Sequence, residues 1–226
     1  MGKIYNFRNH DVMRTCTEKF DDYHKYRSYL VKDFHHRCAY CNMLDELITT
    51  PFEIDHFVPK SKFKEEKESM LTDYENLMYS CKKCNRAKSN LHEGTLEENE
   101  LFFNAAKEDL NEFFYIQNGI IQAKNEKAEN VIKLLKLYRP IHQLAWVVEK
   151  LNVLIYKVGK LKEVYNNDDE VIGILKMVHE KLAIEYHTCE NVFKHYFNTQ
   201  EQYDFQIKKS CSNLEEALDN IGSEYM

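Results

Sequence analysis

The chain has 226 residues, 31 Lys and Arg against 37 Asp and Glu, and a formal net charge of −6. That length holds either one sizeable core or a small metal-stapled unit beside a helical domain, and the order of patterns along the chain favours the second. The acidic balance excludes a protein whose whole surface binds nucleic acid, and no apolar run approaches the ~20 residues needed to span a bilayer.

Residues 1–31 are polar and rich in aromatics. Tyr23, Tyr26 and Tyr29 recur every three residues, with Phe20 and Leu30 nearby, which predicts an N-terminal helical arm. Its aromatic face either packs the arm onto the next segment, the favoured reading, or stacks on bases. The first residues, Met1 to Phe7, contain no apolar secretory core, and position 6 is Asn where a myristoylation site has Ser or Thr. Seven cysteines make an odd set that is no disulfide framework, so a soluble protein of the reducing cytoplasm is expected.

Residues 32–92 hold the chemistry. Cys38 and Cys41 form one Cys-x-x-Cys pair, and Cys81 and Cys84 form another. Each pair can bind one ion from a single tight turn, and two such turns complete the tetrahedral sulfur shell of a structural zinc. His35 and His36 lie two residues before the first pair and are not needed as ligands. Between the pairs runs Glu53-Ile54-Asp55-His56-Phe57-Val58-Pro59. Neighbours on a strand face opposite ways, so Asp55 and His56 can serve one site only where the strand ends, and Pro59 marks such an end. His56 is then the candidate general base, neutral at cellular pH, and Asp55 a hard oxygen ligand for a cation. Glu53 shares a strand face with Asp55 and is either an accessory ligand or a solvated glutamate. Lys82, Lys83, Arg86 and Lys88 fall between Ser80 and Asn90 with no acid among them. This footprint neutralises about four phosphates, too few for tight unaided binding, and Lys88 and Arg86 are the expected backbone-phosphate contacts.

Four blocks together resemble the HNH endonucleases with a four-cysteine zinc site, whose catalytic unit is the ββα-metal motif. They are Arg37 to Cys41, Glu53 to Ser61, Glu75 to Leu77, and Ser80 to Lys88. The resemblance implies that Asp55, His56, Asn76 and Asn85 are the catalytic residues. His56 would activate water, Asn76 would bridge backbone groups across the loop carrying His56, and Asp55 and Asn85 would hold the catalytic ion. Many members have histidine where this chain has Asn85. Two oxygen ligands, with water and phosphate filling the other positions, suit Mg²⁺ or Mn²⁺ better than zinc. The competing reading is a catalytically inactive zinc module that binds nucleic acid or a protein partner.

Further along, Lys60 to Glu68 is a charged insertion, and Thr95 to Glu98 fits a capping box. In the connector, residues 93–125, aromatic and β-branched residues flank Asn118-Gly119, which predicts a β-hairpin. From Glu126 to Met226 the chain reads as a helical domain. One face takes Val131, Leu134, Leu135 and Tyr138; Pro140 interrupts; Leu144, Val147, Val148, Leu151, Leu154 and Ile155 resume. Asn166 to Asp169 breaks the pattern, after which Val171, Ile174, Leu175, Val178, Leu182 and Ile184 continue it, and a last helix spans Leu214 to Ile221. The expected fold is α+β, mainly α, with a zinc-stapled core, a short hairpin and a C-terminal helical domain. Residues 91–226 carry fifteen Lys and Arg against twenty-three Asp and Glu, a net −8 that suits protein docking better than DNA binding. In its core, hairpin and size the chain also resembles the small HNH component of two-gene antiphage systems of the Septu type. That likeness implies a defence nuclease that cuts DNA together with an ABC-like ATPase partner.

Overall fold

A computed structural model describes residues 3–62, 69–89 and 103–199. Most of the charged insertion, the capping box at Thr95, the helix from Leu214 to Ile221 and Cys211 lie outside the described residues. The chain divides into two compact units.

The first unit comprises Ile4–Gln117 and Ile121–Tyr138. Its three-stranded sheet is built on the hairpin of β4 (Phe114–Gln117) and β5 (Ile120–Ala123). Asn118 and Gly119 between them have φ of 52° and 69°, the left-handed pair that a two-residue hairpin turn requires and that Asn-Gly tolerates best. A third strand, β1 (Ile4–Asn6), pairs antiparallel with β4, Tyr5 opposite Ile116. The sequence reading does not contain β1, because three residues that pair with a strand over a hundred positions away leave no local periodicity.

The site rests on a second, two-stranded sheet. In it β2 (Glu53–His56) pairs antiparallel with β3 (Leu77–Ser80), with Asp55 opposite Met78 and His56 opposite Leu77. Phe52, fully buried, enters β2 and packs against Tyr79 with ring centroids 5.2 Å apart. Through Cys81, β3 runs directly into α2 (Lys82–Lys88). The N-terminal arm contributes a 3₁₀ turn, Tyr23–Tyr26, followed by α1 (Arg27–Asp33). Asp22 caps the turn by accepting the His24 N–H at 2.9 Å. Tyr26 is the buried member of the aromatic face and stacks on Tyr74 at 4.9 Å. Buried Asp33 accepts the Tyr74 hydroxyl and, at 2.6 Å, that of Thr15. Arg27 donates to the Phe52 carbonyl at 2.8 Å and so ties the arm to the head of β2.

Helix α3 (Glu126–Leu134) is capped by Asn125, which accepts the Ala128 N–H at 2.9 Å. It ends where Lys136 takes a φ of 55°. This left-handed residue resets the register. Leu135 and Leu137 are buried while Tyr138, expected on the apolar face, is 61 % exposed.

The described part of the second unit consists mainly of two long helices. Pro140 opens α4 (Pro140–Val164) at its first turn, where a missing N–H costs nothing. Along α4, Leu144, Val147, Val148, Leu151, Leu154 and Val158 are buried. Asp168 caps α5 (Asp169–Thr199) by accepting the Val171 N–H at 3.0 Å. The buried residues of α5 are Cys189, Phe193, Tyr196 and Phe197, all in its second half. Ile174 and Ile184, placed by periodicity on an apolar face, are 52 % and 65 % exposed. The cause is geometric: among the described residues α5 packs along α4, and a periodic apolar residue off that seam stays in solvent. No helix among the described residues is long and apolar enough to cross a membrane.

Candidate active site

The first cysteine pair is set by backbone conformation. His35 and His36 at the end of α1 both have positive φ, 51° and 59°, and turn the chain back on itself. The turn Cys38–Asn42 closes with Asn42 N–H donating to the Cys38 carbonyl at 2.9 Å, Asn42 itself at φ 60°. Ala39 N–H donates to the Tyr79 carbonyl at 2.8 Å, which fastens this knuckle to β3. The second knuckle is the start of α2, where Cys81 is the N-cap and its sulfur accepts the Cys84 N–H at 3.4 Å.

The Sγ atoms of Cys38, Cys41, Cys81 and Cys84 lie within 4.8 Å of one another and all four residues are buried. Four sulfurs each about 2.3 Å from one tetrahedral ion stand roughly 3.8 Å apart, and Cys41 Sγ to Cys81 Sγ is 3.9 Å. Backbone N–H groups of Tyr40 and Cys81 point at Cys38 Sγ, at 3.5 and 3.4 Å. Burial works against a Cys38 thiolate, but hydrogen bonds from the other three sulfurs and the Cys81 N–H outweigh it and hold Cys38 well below the ordinary thiol range. The donor set, its spacing and its N–H support all fit zinc.

Beside this cluster β2 ends. Glu53 and Asp55, two apart on the strand, face Asn85 and Lys88, three apart on α2. Asn85 Nδ2 donates to Glu53 Oε2 at 2.7 Å. Lys88 Nζ lies 3.1 Å from Asp55 Oδ2 and 3.3 Å from Oδ1, and donates to the His56 carbonyl at 2.8 Å. Tyr40, between the first two cysteines, donates its hydroxyl to Asp55 Oδ2 at 2.5 Å. Burial raises the Asp55 pKa, and the charge of Lys88 and the Tyr40 hydrogen bond pull it back. Burial and the adjacent carboxylate push the Tyr40 hydroxyl well above the usual phenol range, so Tyr40 is the donor.

His56 is buried, and its Nε2 lies 2.9 Å from the Leu71 carbonyl oxygen. A carbonyl can only accept, so Nε2 carries the proton and the neutral ring keeps its lone pair at Nδ1. Burial lowers the His56 pKa to about 4, with the charges of Lys60, Lys88 and His24 contributing, and the ring is therefore neutral at cellular pH. Asn76 bridges the loop that follows: its Oδ1 accepts the Val58 N–H at 2.8 Å, its Nδ2 donates to the carbonyls of Val58 and Met70 at 3.3 Å, and its carbonyl accepts the Phe57 N–H at 2.7 Å.

The structure thus places Asp55, His56 and the Asn76 bridge at the end of β2, and Asn85 on Glu53 at its start. It corrects one expectation: Lys88 is 1 % exposed, so an ammonium read as a phosphate contact is instead the internal counter-charge of Asp55. Arg86 is exposed on α2. Tyr40 was missed because a residue between two cysteines reads as spacer. The signal for Lys88 was available, since position i+3 from Asn85 places it on the same helical face, towards β2.

A family model described as HNH endonuclease matches residues 38–91 of the chain. The match opens on Cys38 and runs past the end of α2, so it takes in both cysteine pairs and all of β2, β3 and α2, and an HNH domain over this segment suggests a nuclease. No curated protein and no solved structure gives a significant match to the chain.

Replacing Cys81 by Ser removes one thiolate from a closed shell. The variant is expected to lose its zinc and, with it, folding free energy on the order of 10 kcal/mol; full zinc occupancy with an unchanged melting temperature would show that Cys81 is no ligand. Tyr40→Phe is expected to behave differently, keeping one zinc per chain but losing about 1–3 kcal/mol of stability, because a buried carboxylate loses a donor. Chemical denaturation with zinc quantification checks this, and an unperturbed midpoint would mean that the hydroxyl does not support Asp55.

Proposed function

We propose that the protein is a divalent-cation-dependent HNH endonuclease that hydrolyses DNA phosphodiester bonds. The observation that carries this reading is His56 at the end of the strand that carries Asp55, its ring oriented by the Nε2 bond to the Leu71 carbonyl. His56 takes the proton from the attacking water at Nδ1. Asn76 holds the backbone of the turn after His56 and so fixes the direction of the ring. On the family likeness Asp55 and Asn85 would hold Mg²⁺ or Mn²⁺, ions that suit hard oxygen donors; in this structure Asn85 meets Glu53 through Nδ2, and Asp55 meets Lys88 and Tyr40. When bound, such an ion stabilises charge on the non-bridging oxygens and on the leaving 3′ oxygen. Tyr40 and Lys88 offset the burial of Asp55 and orient it, while exposed Arg86 meets the phosphate backbone.

The helical second unit supports a reading of the protein as one half of a two-component defence system. Val164, Ile174, Met177 and Ile184 expose apolar surface on α4 and α5, at 72 %, 52 %, 50 % and 65 %, within an acidic portion that repels DNA. An ABC-like ATPase is the partner that the family likeness implies, and it would supply the control and affinity that a small basic footprint lacks. Charged substitutions at Ile174 and Ile184 together are expected to abolish copurification with that ATPase while leaving zinc content unchanged. Undiminished copurification would remove this surface from the interface.

His56→Ala is expected to lower plasmid cleavage in Mg²⁺ or Mn²⁺ by about 10² to 10⁴ with zinc still bound. Cleavage within a few-fold of the parent would take His56 out of the mechanism. If the parent protein itself is inert with every divalent ion and with its partner, the zinc-module reading replaces this one.

A further inference from the structure

The catalytic histidine has a neighbour from the N-terminal arm. Tyr23 meets the His56 ring edge-on, with centroids 5.0 Å apart and planes at 74°. The tyrosine is held in place by its own turn. Asp22 caps the turn, Tyr26 three residues on is buried against Tyr74, and Arg27 is bonded to the Phe52 carbonyl. Tyr23 therefore belongs to the wall of the site through three fixed points on the same turn.

Tyr23 also meets Lys60, four residues beyond His56 and just past Pro59. Its Nζ lies 4.2 Å from the Tyr23 ring centroid and donates to the Tyr23 hydroxyl at 3.0 Å. A lysine side chain carries about 2 kcal/mol of rotamer entropy, and a cation–π contact with a hydrogen bond to the same ring removes much of that cost in advance. Lys60 is exposed, and its ammonium has three donors, of which the tyrosine hydroxyl takes one. The result is a pre-positioned cation, joined to the base through a single aromatic ring. Lys88, the other ammonium near His56, is buried and occupied by Asp55 and the His56 carbonyl.

We propose that Lys60, held by Tyr23, is the cation that binds the nucleic-acid backbone at the catalytic site, contacting the scissile phosphodiester or the one next to it. The N-terminal arm thereby forms one wall of the substrate cleft. A water activated by His56 requires a phosphate beside the ring, and among the described residues Lys60 is an exposed ammonium that the fold presents there. This rests on the nuclease reading above.

The test uses full-length, zinc-loaded protein. Binding of a DNA duplex is measured over a salt series in a His56→Ala background, where cleavage does not interfere, with and without Lys60→Ala. Loss of one phosphate contact should lower the slope of log K against log salt by about 0.9 for duplex DNA. In otherwise native protein, Lys60→Ala should raise KM several-fold with kcat within about two-fold, Lys60→Arg should restore KM, and Tyr23→Ala should raise KM as Lys60→Ala does. An unchanged salt slope and KM in Lys60→Ala, in a preparation whose parent cleaves DNA, overturns the proposal and leaves the nuclease reading standing. A parent that neither binds nor cleaves DNA overturns both.

Discussion

Four sulfur atoms bring together two stretches of chain forty residues apart, and the rest of the catalytic unit is arranged around that junction. The β2–β3 sheet is only four residues long on each strand, too short to be stable alone in water. The cysteines close it. The first knuckle donates its Ala39 N–H to β3, and the second is the direct continuation of β3 into α2. A tetrahedral ion held by these four sulfurs would tie α2 to the first knuckle, beside the contacts of Asn85 with Glu53 and of Lys88 with Asp55.

Tyr40 makes the coupling between metal and chemistry direct. It belongs to the first cysteine turn by sequence and to the end of β2 by its hydroxyl, which bonds Asp55. Asp55 is otherwise a carboxylate in a place that disfavours charge, and a buried anion persists only where donors and a counter-ion surround it. Tyr40 and Lys88 supply both. The cysteine cluster is therefore no remote structural staple, since one of its own loop residues bonds the buried carboxylate of Asp55. The same economy holds for His56, whose position depends on the Leu71 carbonyl, the Asn76 bridge and the Tyr23 ring, three parts of the chain that the short sheet alone does not order.

What could be read beforehand follows the range of the interactions involved. Cysteine spacing is a local signal with a strong physical meaning, as is Asn118-Gly119 at the hairpin, and both identified their structures from sequence. The strand exit at Asp55 and His56 was legible because Pro59 forbids continuation of a central strand. Long-range features were not legible. The pairing of β1 with β4, the hydroxyl of Tyr40 on Asp55 and the approach of Tyr23 to His56 each join segments that no sequence window contains. Lys88 shows a different limit: a lysine in a basic run looks like solvent-facing charge, and only the position of Asp55 across α2 turns it inward. Tyr138 shows a third, since the left-handed residue at Lys136 ends the helical period of α3 before Tyr138 is reached.

The account stands on the claim that Cys38, Cys41, Cys81 and Cys84 form one all-sulfur metal shell. Zinc K-edge X-ray absorption on the purified, unsupplemented protein measures that shell directly. The expected spectrum is that of one zinc per chain with four sulfurs at about 2.3 Å and no nitrogen or oxygen neighbour. A first shell containing nitrogen or oxygen, or a protein that is folded and free of metal, would contradict it.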